Sequence, residues 1–493
     1  MDMTRRKFAE GALTLLGGAF VTGDLFANAS QPALRFGVIS DVHIGGRREA
    51  AANLDTTLRW LDAQKVDAVL CAGDVAHTGL ISELERFAEV WQGVFPKNRA
   101  ADGRTVTFMM STGNHEVGLW SGRWNGFSEA RLRACAFEYG DNPARTWERL
   151  FGEKWELVWR KDVKGFTFIG SQWFSLRPPL AAYLKAHADE LGTSRPFFYC
   201  QHPHPKDTCY MDGRPVSETG AYDDGFSTRA LSAFPNAVAI SGHSHFTLAD
   251  ERSVWQGAFT SIGAGCLHEG GYSFVYANAS AFWHPSFKQH LMKPLGGPPE
   301  WGGDPAGSCF SLYEVHADHL VIHRRSVRFG CPLGPAWVIP LPARSDGPFN
   351  FTRQAATGTP PAFPSDATVQ ITYCPKGHEL EGVSFKNRPC VHVTFPMARQ
   401  MPSGRRVFDY VVTATAANGK AFTRTVLAPD SSRPPEQAGL PGECLFLPEE
   451  LPARDVVFSV VPRDCFGRAG DSLRAKPFRL VGIDASGEKT TSA

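Results

Sequence analysis

Five apolar, strand-like segments in the first half of the chain are each followed by a short polar segment rich in histidine, aspartate, asparagine and glycine. These polar segments read SDVHIGG, AGDVAHTG, TGNHEVG, QHPHP and SGHSH. Helix-like segments separate several of the strands, and the first of them carries Leu54, Leu58 and Leu61 at helical spacing. Strands that alternate with helices predict a layered α/β domain.

The five polar segments are expected to meet in space. Ligands of an open α/β sheet collect beyond the carboxyl ends of its strands, which is where each of these segments begins. Residues at positions i and i+2 of an extended segment point the same way. This arrangement would let Asp41 with His43, and His243 with His245, each aim two donors at one spot.

Imidazole, carboxylate and amide donors together predict a site for a divalent transition metal such as Mn, Fe, Zn, Co or Ni, and not a calcium cage. Seven candidate donors are too many for one tetrahedral ion and indicate two ions bridged by a shared carboxylate. The candidate ligands are Asp41, His43, Asp74, Asn114, His202, His243 and His245.

In this order, the motifs DVH, GD, GNHE, H and GHSH resemble those of the calcineurin-like metallophosphoesterase superfamily, over residues 35 to about 270. The resemblance implies a four-layer α/β-sandwich domain, for which we expect the bounds 30–345. It also implies a metal-dependent phosphatase or phosphodiesterase, in which a metal-activated hydroxide attacks a phosphomonoester or phosphodiester.

The same resemblance implies a role for each candidate residue. One ion would bind Asp41, His43 and His245, the other would bind Asn114, His202 and His243, and Asp74 would bridge the two ions. His115 would be catalytic, donating a proton or a hydrogen bond to the phosphoryl group or the leaving oxygen. His202 directly follows its strand and is preferred as the ligand over His204, which is alternatively a substrate contact or a loop histidine.

The residue three positions after Asp74 separates subfamilies of this superfamily. Purple acid phosphatases have tyrosine there, and protein Ser/Thr phosphatases have an aspartate that pairs with the GNH histidine. This chain has His77 and keeps His43, so GDVAHTGLISELERF is more similar to class III cyclic-nucleotide phosphodiesterases and related exported phosphoesterases. His77 puts the usual carboxylate support of His115 in doubt; the adjacent Glu116 is either that support or a group outside the ligand shell.

The N-terminus, residues 1–29, resembles a twin-arginine export signal. It has the sequence TRRKFA at 4–9, an apolar run at 11–21 that is too short to span a bilayer, and the small-residue site Ala27-Asn28-Ala29. This predicts a periplasmic or secreted protein. The alternative is a chance arginine pair in a general secretory signal.

The sequence pattern in the C-terminal part of the chain differs from the alternating strands and helices of the first half. Residues 346–367 are rich in proline, glycine and small polar residues and predict a linker. Residues 368–485 contain alternating β segments split by turn residues, which predict an all-β sandwich. Its segment VVPRDCFGRAG resembles the last strand of fibronectin type III-like modules.

Charge narrows the expected partners. The net charge of +1 indicates neither nucleic acid nor an anionic membrane surface as a partner. We expect a small-molecule phosphoester substrate and no membrane span. The alternative from another functional class is an exported binding or scaffold protein, with a structural metal site and a β-sandwich docking module.

Overall fold

The computed structural model describes residues 31–116, 143–173, 178–209, 225–268, 307–380, 383–398, 406–428 and 441–480. The predicted export signal, residues 1–29, lies outside these ranges. The described residues from Ala33 onward belong to one compact unit.

Helices and strands alternate in the first half of the chain, and strands dominate the second half. The strands are β1 Leu34–Ile39, β2 Ala68–Cys71, β3 Thr107–Met110, β4 Val158–Val163, β5 Phe166–Ser171, β6 Phe197–Cys200, β7 Ala237–Ser241, β8 Val254–Gln256, β9 Thr260–Gly263, β10 Cys309–Val315, β11 His319–Ser326, β12 Trp337–Pro340, β13 Gln370–Cys374, β14 Glu379–Leu380, β15 Val383–Ser384, β16 Cys390–Phe395, β17 Val407–Ala416, β18 Ala421–Leu427, β19 Gly442–Phe446, β20 Asp455–Asp464, β21 Leu473–Arg474 and β22 Phe478–Arg479. The α-helices are α1 Ala50–Ala63, α2 Ile81–Val94, α3 Pro143–Phe151, α4 Pro178–Ala186, α5 Ala188–Leu191, α6 Phe226–Leu231 and α7 Phe351–Ala356.

Two mixed six-stranded sheets form the first half. The first has the order β12-β11-β10-β1-β2-β3, with β1, β2 and β3 parallel and the other strands antiparallel. The second has the order β4-β5-β6-β7-β9-β8, with β5, β6, β7 and β9 parallel. Parallel strands need crossovers, and helices supply several of them.

Apolar side chains on alternate strand positions hold the two sheets face to face. Phe36 of β1 lies with its ring centroid 5.1 Å from Phe168 of β5 and 4.9 Å from Phe198 of β6. All three side chains are buried in one cluster drawn from both sheets. Burying such aromatic rings stabilises the contact through both the apolar area removed from water and their edge-to-face geometry.

Helices cover the outer faces of both sheets. The apolar stripe of α1, which includes Leu54, Leu58 and Leu61, packs with α2 against the first sheet. Leu180 of α4 and Leu231 of α6 pack against the second sheet. The predicted layered α/β domain is therefore confirmed, with helices, two sheets and helices in that order.

The C-terminal strands form antiparallel sheets. One sheet has the strand order β13-β16-β19. A second sheet has the order β18-β17-β20-β21, and β22 also pairs with β20. Strands β14 and β15 form a short hairpin. The two larger sheets share a buried cluster that includes Val393 and Phe446 from one sheet and Val412 and Phe458 from the other. The likeness to fibronectin type III modules stays a prediction, as do the domain bounds; the predicted linker contains α7.

Side chains of the C-terminal region contact the α/β half of the chain directly. The guanidinium of Arg252 lies 4.4 Å from the ring centroid of Phe408, and Cys465 Sγ lies 3.5 Å from Glu251 Oε2. Among the described helices, none is both long and apolar enough to cross a membrane.

Candidate metal centre

The predicted ligands lie just beyond the carboxyl ends of parallel strands. Asp41 and His43 follow β1, Asp74 follows β2 and Asn114 follows β3 of the first sheet, while His202 follows β6 and the GHSH turn follows β7 of the second. All seven are buried except His245, whose side chain is 20% exposed. The polar loops of the two sheets therefore meet in one site that is largely shielded from solvent.

The backbone of these loops differs from the extended geometry expected for residues at positions i and i+2. Five of the predicted ligands adopt left-handed φ angles between 51° and 67°: Asp41, His43, Asp74, His243 and His245. For residues with a side chain this conformation costs about 1–2 kcal/mol each. Such strain persists only where surrounding contacts hold it, and it concentrates at functional sites.

Hydrogen bonds between the loops hold this strained backbone. The N–H of Asp41 donates to the carbonyl oxygen of Gly73 and the N–H of His43 donates to that of Asp74, both at 3.0 Å. The N–H of His243 donates to the carboxylate of Asp41 at 3.0 Å. The side chains converge because the loops are bonded to one another, and not because their segments are extended.

Two glycines permit the close approach of these loops. A Cβ on Gly113 would lie 2.2 Å from Asp74 Oδ1. A Cβ on Gly242 would lie 1.9 Å from Ser40 Oγ and 2.5 Å from Asp41 Oδ2. Any larger residue at either position would displace a predicted ligand carboxylate or the loop that carries it.

Asp41, His43 and His245 form the first ligand group. Their donor atoms lie within 4.8 Å of one another. His43 Nε2 lies 3.1 Å from His245 Nε2, which in turn lies 3.2 Å from Asp41 Oδ1. Donor atoms that bind one zinc-sized ion at about 2.0–2.1 Å in a tetrahedron lie about 3.3 Å apart. This spacing suits a single shared cation.

Asp74, His202 and His243 form the second group, again with donor atoms within 4.8 Å of one another. His202 Nε2 lies 3.0 Å from Asp74 Oδ2. The same carboxylate oxygen lies 4.0 Å from His43 Nε2 of the first group. The carboxylate of Asp74 therefore lies between the two groups, as a bridging ligand would.

The chemistry of these residues fits a pair of divalent ions. Asn114 is buried, and its Oδ1 and Nδ2 atoms have no hydrogen-bond partner among the described residues. A buried amide without hydrogen-bond partners destabilises the fold by about 1–3 kcal/mol, because it has lost its contacts with water. An ion bound to the amide oxygen would offset this penalty. The donors are imidazole, carboxylate and amide groups, which divalent transition metals accept.

The pKa values of the predicted ligands are shifted in opposite directions by burial and by neighbouring charges. Burial and the neighbouring His115 lower the pKa of His43, and burial with His202 lowers that of His243. Burial also disfavours protonation of His202, but the carboxylates of Asp74 and Asp41 outweigh it and raise the pKa of His202 to about 9. Burial opposes ionisation of Asp74, yet the surrounding histidines hold its pKa well below its usual value.

His115 points into the site with a fixed tautomer. Its Nδ1 lies 2.8 Å from the carbonyl oxygen of His77, and because a carbonyl only accepts, Nδ1 carries the hydrogen. Its Nε2 lies 3.7 Å from Asp74 Oδ2. The backbone carbonyl of His77 therefore supports the His115 ring, in place of the carboxylate that the sequence lacks at position 77.

Glu116 is not the partner of the His115 ring. Its carboxylate accepts the N–H groups of Asp74, Ala76 and Gly113 at 3.0, 2.8 and 2.7 Å. Burial and the nearby Asp74 raise the pKa of Glu116 to about 8, against the pull of these donors. Glu116 therefore ties the loop after β2 to the loop after β3.

The two histidines of QHPHP have different surroundings. His202 Nδ1 donates to the carbonyl oxygen of Ala72 at 2.6 Å, which leaves Nε2 facing Asp74. His204 Nε2 lies 3.2 Å from Ser244 Oγ, and burial lowers the pKa of His204 to about 4. This geometry favours His202 as the ligand.

Two residues that sequence patterns missed also face the site. The ring of His268 lies 5.1 Å from that of His43 and is stacked 6.1 Å from that of His77. Trp173 lies 5.7 Å from His202 and 5.8 Å from His243, ring to ring. His268 follows β9 and Trp173 follows β5. These parallel strands are next to the strands that carry predicted ligands, so the position of each residue after a strand was the sequence signal that could have identified it.

The part of the chain that contains the predicted ligands is similar to known proteins. Residues 34–246 match the model of the calcineurin-like phosphoesterase family. Solved structures to which this chain is similar include a dimetal phosphatase from Danio rerio (12% identity, 63% of this chain and 99% of that chain, TM-score 0.35) and a purple acid phosphatase from yellow lupin seeds (13% identity, 63% and 55%, TM-score 0.36). A third is GAP50, the anchor in the inner membrane complex of Plasmodium (12% identity, 62% and 88%, TM-score 0.35). No curated protein matches the sequence.

The matched segment contains β1 to β7, from the first strand to the GHSH turn. It includes both ligand groups and His115. Residues 34–246 therefore form a calcineurin-like phosphoesterase domain, the type of domain found in metal-dependent phosphoester hydrolases.

Proposed function

We propose that the protein is an exported phosphoesterase that holds two divalent ions and hydrolyses a phosphomonoester or phosphodiester bond of a small molecule. The observation that carries this proposal is the carboxylate of Asp74, whose Oδ2 lies 3.0 Å from His202 and 4.0 Å from His43. A carboxylate between two buried histidine groups has the arrangement required of a bridge between two cations.

Each side chain has a defined task in this proposal. Asp41, His43 and His245 would hold one ion, Asn114, His202 and His243 would hold the other, and Asp74 would bind both. When bound, the ions would lower the pKa of water and screen the phosphate charge. The carbonyl oxygen of Ala72 fixes the tautomer of His202 and so presents its Nε2 to the ion.

His115 is the proposed proton donor. Its Nδ1 hydrogen bond to His77 orients the ring and leaves Nε2 facing the site. A protonated Nε2 next to the phosphoryl group would donate to the leaving oxygen as the ester bond breaks. The ring lies 4.3 Å from that of His43, so this donor stands beside the first ligand group.

Two sequence features support a subfamily and a location for the proposed enzyme. The resemblance of the segment around His77 to class III cyclic-nucleotide phosphodiesterases supports a diester substrate, and the motif TRRKFA supports export through the twin-arginine route. A periplasmic or secreted hydrolase that acts on small phosphodiesters combines both expectations.

A substrate panel on metal-reconstituted mature protein tests the proposal. Cyclic nucleotides, glycerophosphodiesters, nucleotides and aryl mono- and diesters are compared for the wild type and for Asp74→Asn. We expect turnover of at least one diester by the wild type, and loss of both turnover and the two metal ions of this centre in the variant. A wild type that binds metal in stoichiometric amount yet hydrolyses no ester would favour the binding or scaffold alternative.

A further inference from the structure

The C-terminal strands carry a second cluster of metal-ligand side chains, outside the segment that matches the phosphoesterase family. It consists of His378, His392 and Glu443. One donor atom of each residue lies within 4.8 Å of the donor atoms of the other two.

Strand pairing fixes two of the three residues. His392 lies in β16 and Glu443 in β19, and Glu443 is the register partner of Thr394, two positions after His392. Both side chains therefore stand on the same face of the sheet. Val391 and Val393 point to the opposite face and are buried in the core between the sheets. His392 Nε2 lies 3.0 Å from Glu443 Oε1.

A tight turn after β13 brings His378 over this pair. Gly377 adopts a φ of +85°, and a Cβ on it would lie 1.8 Å from the carbonyl oxygen of Phe385. The N–H of Phe385 donates to the carbonyl oxygen of His378 at 2.9 Å. The ring of His378 stacks on that of His392 with centroids 4.1 Å apart and an interplanar angle of 26°.

This donor set has a definite chemical preference. Two imidazoles and one carboxylate are ligands of zinc, and a site with three protein ligands keeps a further position for solvent. Side-chain exposures of 13% for His392 and 37% for Glu443 leave the cluster open to an ion from solvent. His392 and Glu443 are held on paired strands and need little rearrangement to bind an ion, whereas the stacked ring of His378 would have to rotate about its side-chain torsions to direct a nitrogen at the same ion.

We propose that His378, His392 and Glu443 form a Zn²⁺ site in the C-terminal β region, separate from the phosphoesterase centre. The bound ion would connect the turn after β13 to β16 and β19. Because β14 and β15 directly follow that turn, the ion would also fasten this short hairpin against the sheet. An ion that binds only the folded state stabilises it.

Zinc content of the full-length mature protein tests the proposal. Protein stripped with a chelator is reloaded with Zn²⁺, dialysed, and measured by elemental analysis and by competition with a chromophoric chelator. We expect three zinc ions per chain in the wild type and two in His378→Ala and in His392→Ala. In Asp74→Asn, whose phosphoesterase centre is damaged, one ion is expected to remain and to be lost when His392→Ala is added.

A matched control separates ligation from a simple contact. His323 makes a similar hydrogen bond to a glutamate, with its Nε2 3.2 Å from Glu314 Oε2, but it belongs to no three-ligand group among the described residues. His323→Ala is expected to keep the third zinc ion. If His378→Ala disturbs the turn, Glu443→Gln keeps the shape of that side chain and removes only its charge; we expect at least a tenfold weaker third site.

Thermal unfolding supplies a second readout. Zn²⁺ should raise the unfolding midpoint of Asp74→Asn but not that of Asp74→Asn combined with Glu443→Gln. Unchanged zinc stoichiometry and affinity in the His378, His392 and Glu443 variants would overturn the proposal and leave a stacked histidine pair hydrogen-bonded to a glutamate.

Discussion

The imidazole of His202 lies with its Nε2 3.0 Å from Asp74 Oδ2 and has its Nδ1 committed to the backbone at Ala72. In the metal-free protein the carboxylates of Asp74 and Asp41 outweigh burial and raise the pKa of His202 to about 9. The ring is therefore an imidazolium at neutral pH, and its Nε2 proton occupies the position that a metal ion needs.

Metal binding should release that proton. Below a pH of about 9 the ion competes with the proton at Nε2, so the apparent affinity of the chelator-treated protein for Mn²⁺ or Zn²⁺ should rise from pH 6.5 to 9. Calorimetry in buffers of different ionisation enthalpy would measure proton release near neutral pH. His204→Gln should keep this dependence, because His204 contacts Ser244. A pH-independent affinity without proton release would contradict the assignment.

The same pKa shift predicts the stability of the metal-free protein. Because folding raises the pKa of His202 from its usual 6.5 to about 9, protonation of His202 stabilises the folded state. This stabilisation is complete below pH 6.5 and is lost as the pH rises through 9. The difference in urea midpoint between the metal-free wild type and His202→Gln should therefore shrink between pH 6.5 and 9.5. A difference that grows with pH would show that the shift has the opposite sign.

Gly113→Ala should damage the centre without damaging the fold. The added Cβ would lie 2.2 Å from Asp74 Oδ1 and 2.8 Å from the ring of His202, and φ at Gly113 is not left-handed, so the change acts through the ligands alone. We expect at least a tenfold loss of metal affinity, or about 1.4 kcal/mol, with a matching loss of activity. Metal titration followed by an ester assay measures both.

Gly93→Ala is the matched control. Gly93 lies in α2, and a Cβ there would meet no atom within 4 Å. Alanine in a helix restricts the unfolded chain, so the free energy of unfolding should rise by about 0.4–1 kcal/mol with unchanged metal binding. Equal metal affinity in both alanine variants would exclude the close approach at Gly113 as the reason for glycine.

Local sequence patterns predicted the elements and the convergence of the polar loops, but not the backbone geometry that brings the ligands together. The spacing of Leu54, Leu58 and Leu61 predicts α1, and the polar residues after β1, β2, β3, β6 and β7 predict what gathers there. The left-handed φ angles of Asp41 and His243 arise from hydrogen bonds between loops about 200 residues apart, which local periodicity does not contain. The same holds for the cluster of His378, His392 and Glu443, because strand register alone brings it together.

Glu116→Gln should loosen the ligand loops. Its two oxygens accept three backbone N–H groups, and the change replaces one acceptor with an NH₂ group that faces a donor. A buried donor left unsatisfied costs about 1–3 kcal/mol. We expect a loss of that size in the free energy of unfolding, measured in urea, together with weaker metal binding.

Glu450→Gln separates these two effects. Glu450 accepts the backbone N–H of Leu447 at 2.7 Å and a hydrogen bond from Arg424, both in the C-terminal region. Its substitution should lower stability and leave metal affinity in the phosphoesterase centre unchanged. Normal metal binding by Glu116→Gln would show that the carboxylate serves the fold alone.

His115→Gln should slow catalysis while the metals stay bound. The ring is held by the carbonyl oxygen of His77 and lies outside both ligand groups in the proposed assignment, so metal content should equal that of the wild type. Loss of a general acid lowers turnover by roughly 10²–10⁴-fold. The loss should be large for an alkyl ester, whose leaving oxygen needs a proton, and small for a p-nitrophenyl ester. Asp74→Asn should instead lose the metal ions of the phosphoesterase centre and both activities, and an equal loss on the two esters in His115→Gln would argue against proton donation.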